Sequence, residues 1–586
     1  MSALLEADTL LAVDVGSVNT RASLFDVVDG RYRLVATGRA SSTAGPPLFD
    51  VSEGVRNALD QVRAITGRRL VDESEALIMP ATRDGSGVDL FVATTSAGPK
   101  VRTVLVGLMP GISVESAHRL AASTYLDVVQ EIGLMDRRRE EEQIDVILAA
   151  RPDLILVVGG TDGGAGASVV EMVDVTSLAA NLLPESQKPR VVYAGNRTLA
   201  ASVVERFGDR LPVSLTANLR PSIDREELEP ARQLLSEVIA EARRSRISGF
   251  DELTHWSGGN LLATADAFGR VVRYLSRVYD RRKGVLGVDL GASQTTVAAA
   301  FDGDLRLSVN LDLGLGDALP GLLRHSSLDK VARWLPFEMP ASDIHDYLSN
   351  KALHPSTIPI EPVELHLEYA LARQALRTAI GLARQTWPMV RGQRSVESMP
   401  PLEPILASGG ALARCPRPGY TVMVLLDALQ PSGVSTLVLD PYSLMPAMGA
   451  AAGVLPMAAV QVLESGSFVS LATVVSPVGS GRFGRPVLRL RVDREAGGEA
   501  VEGEIRLGQV AVIPLGQGQH ARLTLRPERG FDVGFGGPGR AGVLRVAGGA
   551  VGLVVDARGR PLHLPVDSVR RVEMIQKWMW DLGAQL

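Results

Sequence analysis

Two periodicities alternate along the first half of the chain. Short apolar runs predict strands at 75–79, 88–94, 101–106, 153–158, 190–194 and 211–215. Apolar residues recurring every three to four positions predict helices over 113–133, 138–150, 169–182, 197–206 and 223–246. Such alternation implies a mostly parallel sheet covered by helices. A further helix is expected over 259–278, and a strong helical pattern follows over 361–386, before a strand-to-loop element at 404–413. From about 455 to about 565, short strands alternate with Gly-rich turns, which predicts a small all-β domain. A helix at 567–582 closes the chain, with Trp578 and Trp580 expected as core anchors.

The chain repeats itself once. Residues 10–26 read LLAVDVGSVNTRASLFD and residues 285–302 read VLGVDLGASQTTVAAAFD. Asp14, Gly16 and Thr20 recur as Asp289, Gly291 and Thr295 at identical spacing. Each copy begins with an apolar strand, turns at the Gly and enters a second strand that ends in an Asp-Gly turn signal. The repeat predicts two domains of similar ancestry, each opening with a β-hairpin.

Composition narrows the function. Net charge is -5, so the chain lacks the basic balance that binding to a phosphate backbone requires, and nucleic acid is not the expected partner. Cys415 is the single cysteine, which excludes an intrachain disulfide framework and a cysteine-based zinc or iron–sulfur cluster. The start, MSALLEADTL, lacks the basic and apolar regions of a signal peptide. The uncharged stretch 442–463 is rich in Ala, Gly and Met and interrupted by Pro446 and Pro456, so it reads as buried core rather than a membrane span. A cytoplasmic protein is expected.

A D-x-G-x-x-x-T hairpin placed twice suits a nucleotide triphosphate. Glycine at a tight turn lets backbone N–H groups approach phosphates without Cβ interference. Hydroxyls of Ser17, Thr20, Thr295 and Thr296 are candidate donors. Asp14 and Asp289, ending apolar strands, are placed to face a Mg²⁺ ion through water. A third piece, Gly409-Gly410-Ala411 after the run ILAS, would let a loop lie flat against adenine or ribose. Met448-Gly449-Ala450-Ala451 offers a small-residue helix for close packing at a hinge. No Walker lysine motif competes with this set. A fourth Gly-rich loop, Gly159-Gly160-Thr161-Asp162-Gly163-Gly164, follows the strand DLILVV, where open α/β sheets hold ligands. Asp162 is there a candidate for catalysis or for Mg²⁺, against the alternative of a tight strand-to-helix turn.

Taken together, both hairpins and the Gly-Gly loop resemble the two phosphate motifs and the adenosine motif of the actin/Hsp70/sugar-kinase superfamily. More narrowly, the chain resembles the MutL/GlmL family, accessory proteins of glutamate (methylaspartate) mutase and unrelated to the mismatch-repair protein of similar name. That resemblance rests on LLAVDVGSVNTRASLFD, ATTSAGPKVRTVLVGLMPGISVESAHR, DLILVVGGTDGG, GVLGVDLGASQTT and ILASGGA, and covers roughly 10–455. The second hairpin departs from the family's Gly-Gly-Ala-Thr-Thr-Asp wording and lacks its acidic residue.

The resemblance implies an α/β fold: two ribonuclease H-like ATPase domains around a nucleotide cleft, with a nested α/β domain and a C-terminal all-β domain. The expected segments are 1–96 and 284–454 for the ATPase domains, 97–245 nested, 246–283 linking helices, and 455–586 β-rich. Implied with it are ATP or ADP with Mg²⁺ and slow Mg-dependent ATP hydrolysis. The expected role is as a reactivating chaperone that releases damaged cobalamin from an adenosylcobalamin-dependent mutase. A metabolite kinase of the same superfamily, or an actin-like nucleotide-binding scaffold, is the alternative.

Overall fold

A computed structural model describes residues 7–389 and 398–585. The chain is mixed α/β with several sheets and divides into two compact units. The first comprises residues 1–42, 53–96 and 253–586; the second comprises 43–52 and 97–252. Residues 1–6, within the stretch read for a signal peptide, lie outside the described residues.

In the first unit, the repeat becomes two sheets built on one plan. Thr9–Val15 pairs antiparallel with Asn19–Val28, which pairs antiparallel with Arg31–Ser41, while Leu90–Thr95 lies parallel on the other side of Thr9–Val15. Gly284–Leu290, Thr295–Phe301, Asp304–Asn310 and Leu402–Ser408 repeat that order and those directions. Both opening strands, TLLAVDV and GVLGVDL, are almost wholly buried, as expected of runs covered on both faces. Between the sheets pack the helices Thr264–Val278 and Leu444–Ala451, joined in one core that includes Leu10, Phe25, Phe268, Ala298 and Met448. A Cβ at Gly449 would collide with the Ala267 backbone, so glycine sets the close approach of these two helices.

The C-terminal strands do not stand apart as the boundary at 455 implies. Val469–Ser476 pairs with Gly433–Leu439, and Gly552–Asp556 and Val510–Ile513 follow, extending the second sheet to eight strands. The remaining strands form a four-stranded antiparallel sheet of Val501–Arg506, Pro486–Arg494, His520–Pro527 and Gly542–Ala547, which shares a core with Val434, Val475, Ile513 and Val555 of the eight-stranded sheet, and a two-stranded pairing of 478–479 with 531–532. A buried ladder of charge ties this tail in: Arg373 to Asp427 at 2.8 Å, Arg558 to Asp427 at 2.6 Å and to Asp556 at 2.9 Å, and Arg560 to Asp556 at 2.7 Å. In the closing helix, Ser568–Asp581, Trp578 is buried and donates its indole N–H to the Gly508 carbonyl. Trp580 is 69% exposed and is no core anchor.

The second unit is a parallel sheet in the order Leu126–Gly133, Val101–Gly107, Leu154–Val158, Arg190–Tyr193, Val213–Leu215. The single helix expected over 113–133 is a helix, Glu115–Ala122, followed by the strand Leu126–Gly133. The β-branched residues Val128, Val129 and Ile132 favour strand once a parallel partner is available. The run 75–79 forms only an isolated bridge, Val71 to Leu77, rather than a strand. The uncharged stretch 442–463 is two short helices, Leu444–Ala451 and Pro456–Leu463. No helix among the described residues is long and apolar enough to cross a membrane.

Candidate functional site

Strand register decides which side chains meet. Asp14 lies opposite Arg21 across the first hairpin and beside Thr94 on the parallel strand. Asp289 lies opposite Thr296 and beside Ser408 in the same way. Both turns close identically, with Gly16 N–H donating to the Asn19 carbonyl and Gly291 N–H to the Gln294 carbonyl, each at 2.9 Å. A Cβ at Gly16 would stand 2.9 Å from the Asn19 oxygen and one at Gly291 3.0 Å from the Gln294 oxygen, too close for either position to take a side chain without shifting. Gly409 has φ +108°, and a Cβ there would run into the Leu290 carbonyl.

These elements converge on one cleft of about 380 Å³, lined by Asp14, Gly16, Ser17, Asp289, Gly291 and the Gly409–Ala411 loop. That volume falls within the range of small-molecule sites, roughly 300–1,000 Å³. Arg21, Arg39, Lys351 and Arg414 bring positive charge to its walls. Thr94 and Thr264 donate to Asp14 Oδ1 at 2.7 and 2.8 Å, and Arg21 Nη1 lies 3.6 Å from Asp14 Oδ2. Asp440, after the strand Gly433–Leu439, is fully buried and accepts the N–H groups of Leu444 and Met445 at the start of the next helix. Burial pushes the carboxyl of Asp289 up to about 6; the negative charges of Asp14 and Asp440 add to this, and Arg21 opposes it. Asp440 is likewise pushed up to about 6 by burial, against its backbone hydrogen bonds and Arg21.

At the far end of the cleft, Lys351 and Glu368 form a buried pair at 2.9 Å, and Tyr369 donates its hydroxyl to the Ala411 carbonyl at 3.1 Å. Arg414, just after the Gly-Gly loop, is held below its ordinary pKa by desolvation and by the charge of Arg21.

Three of the threonines read as candidate donors lie off the surface of the cleft. Thr20, Thr295 and Thr296 are buried and absent from the cleft lining. Thr295 donates to the Leu313 carbonyl, and the Thr20 hydroxyl has no hydrogen-bond partner among the described residues. Ser17 does reach the lining. Asp162 belongs to the second unit. Its carboxylate accepts the Arg197 N–H and the Asn218 amide, both at 3.0 Å. Burial alone would raise it, but these hydrogen bonds and the Arg197 charge hold it below the usual carboxylate range. That is the bonding of a tied strand-to-helix turn.

Arg21, Thr94, Thr264, Asp440, Lys351 and Glu368 escape a motif search. Arg21 is legible in one respect, since a seven-residue step across a tight hairpin returns to the starting register. Asp440 repeats the local grammar of an apolar strand ending in Asp, in LVLDP.

Asp14 and Asp289 suit a hydrated Mg²⁺ ion on chemical grounds, as hard oxygen donors lining the same cleft as the two glycine turns. Among the described residues, no group of three or more His, Cys, Asp or Glu is placed to ligate a metal directly.

A family model described as MutL protein matches residues 10–466. Protein MutL of Clostridium tetanomorphum is 23% identical over 495 residues, spanning 78% of this chain and 98% of that one. Among solved structures, a nucleotide-free acetone carboxylase overlaps 85% of this chain and 81% of its own at 12% identity and a TM-score of 0.34. A glycerol dehydratase reactivase overlaps 71% and 94% at 13% identity and a TM-score of 0.28. Overlaps this distant carry no activity across. The sequence match does carry the family, since it spans both hairpins, the second compact unit and the Gly-Gly loop: the chain belongs to the MutL family.

Proposed function

We propose that this protein is an ATP-dependent reactivating chaperone for an adenosylcobalamin-dependent mutase, using ATP binding and slow hydrolysis to drive the release of damaged cobalamin. The observation that carries the nucleotide half of this reading is the convergence of two matched glycine turns and two strand-end aspartates on one cleft. The mutase half comes from membership of the MutL family and its resemblance to mutase accessory proteins.

Phosphates fit against the turns at Gly16 and Gly291, which line the cleft without side chains and beside which Ser17 also lines it. Arg21 and Arg39 supply positive charge beside them. The Gly409–Ala411 loop and the Lys351–Glu368 pair bound the end that takes adenosine. Mg²⁺, when bound, neutralises phosphate charge and polarises the terminal phosphoryl group. Asp14 and Asp289 would hold its waters, and Thr94 and Thr264 fix the orientation of the Asp14 carboxylate. Loss of the γ-phosphate removes a contact that both hairpins share, which biases the cleft between closed and open forms.

The test is ATP turnover by the purified protein, alone and with cobalamin mutases carrying inactivated cofactor, beside Asp14→Ala and Asp289→Ala. Mutase-stimulated turnover that both substitutions abolish is expected. Turnover that appears only on adding a small acceptor would instead identify a metabolite kinase.

A further inference from the structure

Arg21 occupies an unusual place in the cleft, and its role there rests on the cleft being the proposed nucleotide site. Its guanidinium stands across the strand pair from Asp14, at 3.6 Å, an ion pair too long for a hydrogen bond. Asp14 Oδ1 is already taken by Thr94 and Thr264, so Oδ2 is the atom that faces Arg21. The guanidinium's charge also acts on Asp289 and on buried Asp440. One cation therefore acts on three carboxylates, of which Asp14 and Asp440 are also held by hydrogen bonds. Its side chain keeps about a quarter of its surface exposed within the cleft, where it also repels Arg414. The second hairpin contributes nothing equivalent, since Thr296 stands at the matching register position.

A divalent cation drawn to Asp14 and Asp289 must enter the space whose charge Arg21 now balances. A cation there would meet a guanidinium standing 3.6 Å from Asp14 Oδ2, and the two like charges repel. The guanidinium is on a long stem, and the phosphate-accepting turns at Gly16 and Gly291 line the same cleft. We propose that Arg21 is an exchangeable counter-ion: it competes with a divalent cation for the Asp14 and Asp289 carboxylates and, when displaced, turns its charge to the nucleotide's phosphates. The cleft then takes nucleotide without metal through Arg21, and metal and arginine oppose each other on the acidic floor.

Mn²⁺ binding to the nucleotide-free protein, followed by electron paramagnetic resonance, tests the competition directly. Arg21→Gln is expected to bind Mn²⁺ about ten-fold more tightly than the parent protein, and Arg21→Lys within about three-fold of it. Arg21→Met, close to arginine in shape, gives the same reading if the Gln variant does not fold. Equal Mn²⁺ affinity in the parent and the uncharged variants overturns the proposal. A parallel titration with Mg-free ADP should show binding at least about ten-fold weaker in Arg21→Gln. If the parent protein binds no ADP with or without Mg²⁺, the nucleotide reading itself fails, while the Mn²⁺ comparison still decides whether Arg21 guards the carboxylates.

Discussion

In the first hairpin, Asp14 accepts the hydroxyls of Thr94 and Thr264 and faces Arg21 across the strand pair. In the second, Asp289 faces Thr296, and burial beside Asp14 and Asp440 pushes its carboxyl up to about 6. Backbone and turn are the same in both, down to a 2.9 Å closing hydrogen bond. The difference lies in the residue seven positions after the aspartate and the residue on the neighbouring parallel strand. A repeated motif therefore conserves the shape of the turn, while the side chains one strand away assign each copy its charge.

Breaking this asymmetry should cost most at Asp14. Asp14→Ala strands two threonine hydroxyls and Arg21, so a loss of about 2–4 kcal/mol in urea unfolding and roughly 100-fold weaker Mg·ATP binding by calorimetry are expected. Asp289→Ala should weaken binding comparably yet cost under about 1 kcal/mol, because it removes a disfavoured buried charge. Equal destabilisation by the two would contradict the contrast.

Next in size is the loop behind each hairpin. Gly409→Ala places a Cβ against the Leu290 carbonyl at positive φ and is expected to cost about 2–3 kcal/mol. Thr95→Ala, at the matching position behind the first hairpin, should cost about 1 kcal/mol or less. Thermal unfolding of both variants checks this.

Asp289 also makes stability depend on pH. Its carboxyl titrates near 6 when folded and near 4 when unfolded, so the unfolded chain releases that proton first. The stability it contributes is present below about pH 4 and is lost as pH rises through about 6. Asp289→Asn should therefore gain on the parent protein by about 1–2 kcal/mol between pH 4.5 and 7, read from urea midpoints across that range. A difference that stays flat with pH would show that burial does not raise the Asp289 carboxyl.

The smallest contrast lies in the paired threonines. Thr295→Val should lose about 1 kcal/mol with its hydrogen bond to the Leu313 carbonyl, whereas Thr20→Val should be neutral or slightly stabilising. Neither should alter nucleotide affinity, and a ten-fold loss at Thr20 would restore that hydroxyl to the site.

Much of this is legible along the chain, and the exceptions share a cause. Spacing within a motif is local, so the two turns, the aspartates and the Gly-Gly loop can be read from 10–26, 285–302 and 404–413. Direction across a strand pair is not local. Side chains alternate faces along a strand, and Thr20 pairs with Val15 while Arg21 pairs with Asp14. The threonine of the motif must then point away from the cleft that its arginine neighbour enters. Thr264 and Asp440 arrive from 250 and 426 residues after Asp14, too far for any pattern to connect them. Helix and strand blur for a related reason at 113–133, where the apolar positions of Glu115–Ala122 and Leu126–Gly133 run together without a breaker. The segment 43–52 joins the second unit through backbone pairing with Ser248, a distant contact that composition does not record.

The charge ladder from Arg373 to Arg560 bears on where this chain can be divided. The family match ends at 466, just before Val469–Ser476, an inviting place to truncate. A protein shortened there would keep Arg373 and Asp427 in its interior but lose Arg558, Asp556 and Arg560. It would also bare the full hydrogen-bonding edge of Gly433–Leu439. An open strand edge beside a newly uncovered ion pair favours self-association. The three strands that complete the eight-stranded sheet are therefore part of the second domain's own frame, and the four-stranded sheet is the portion of the tail outside it.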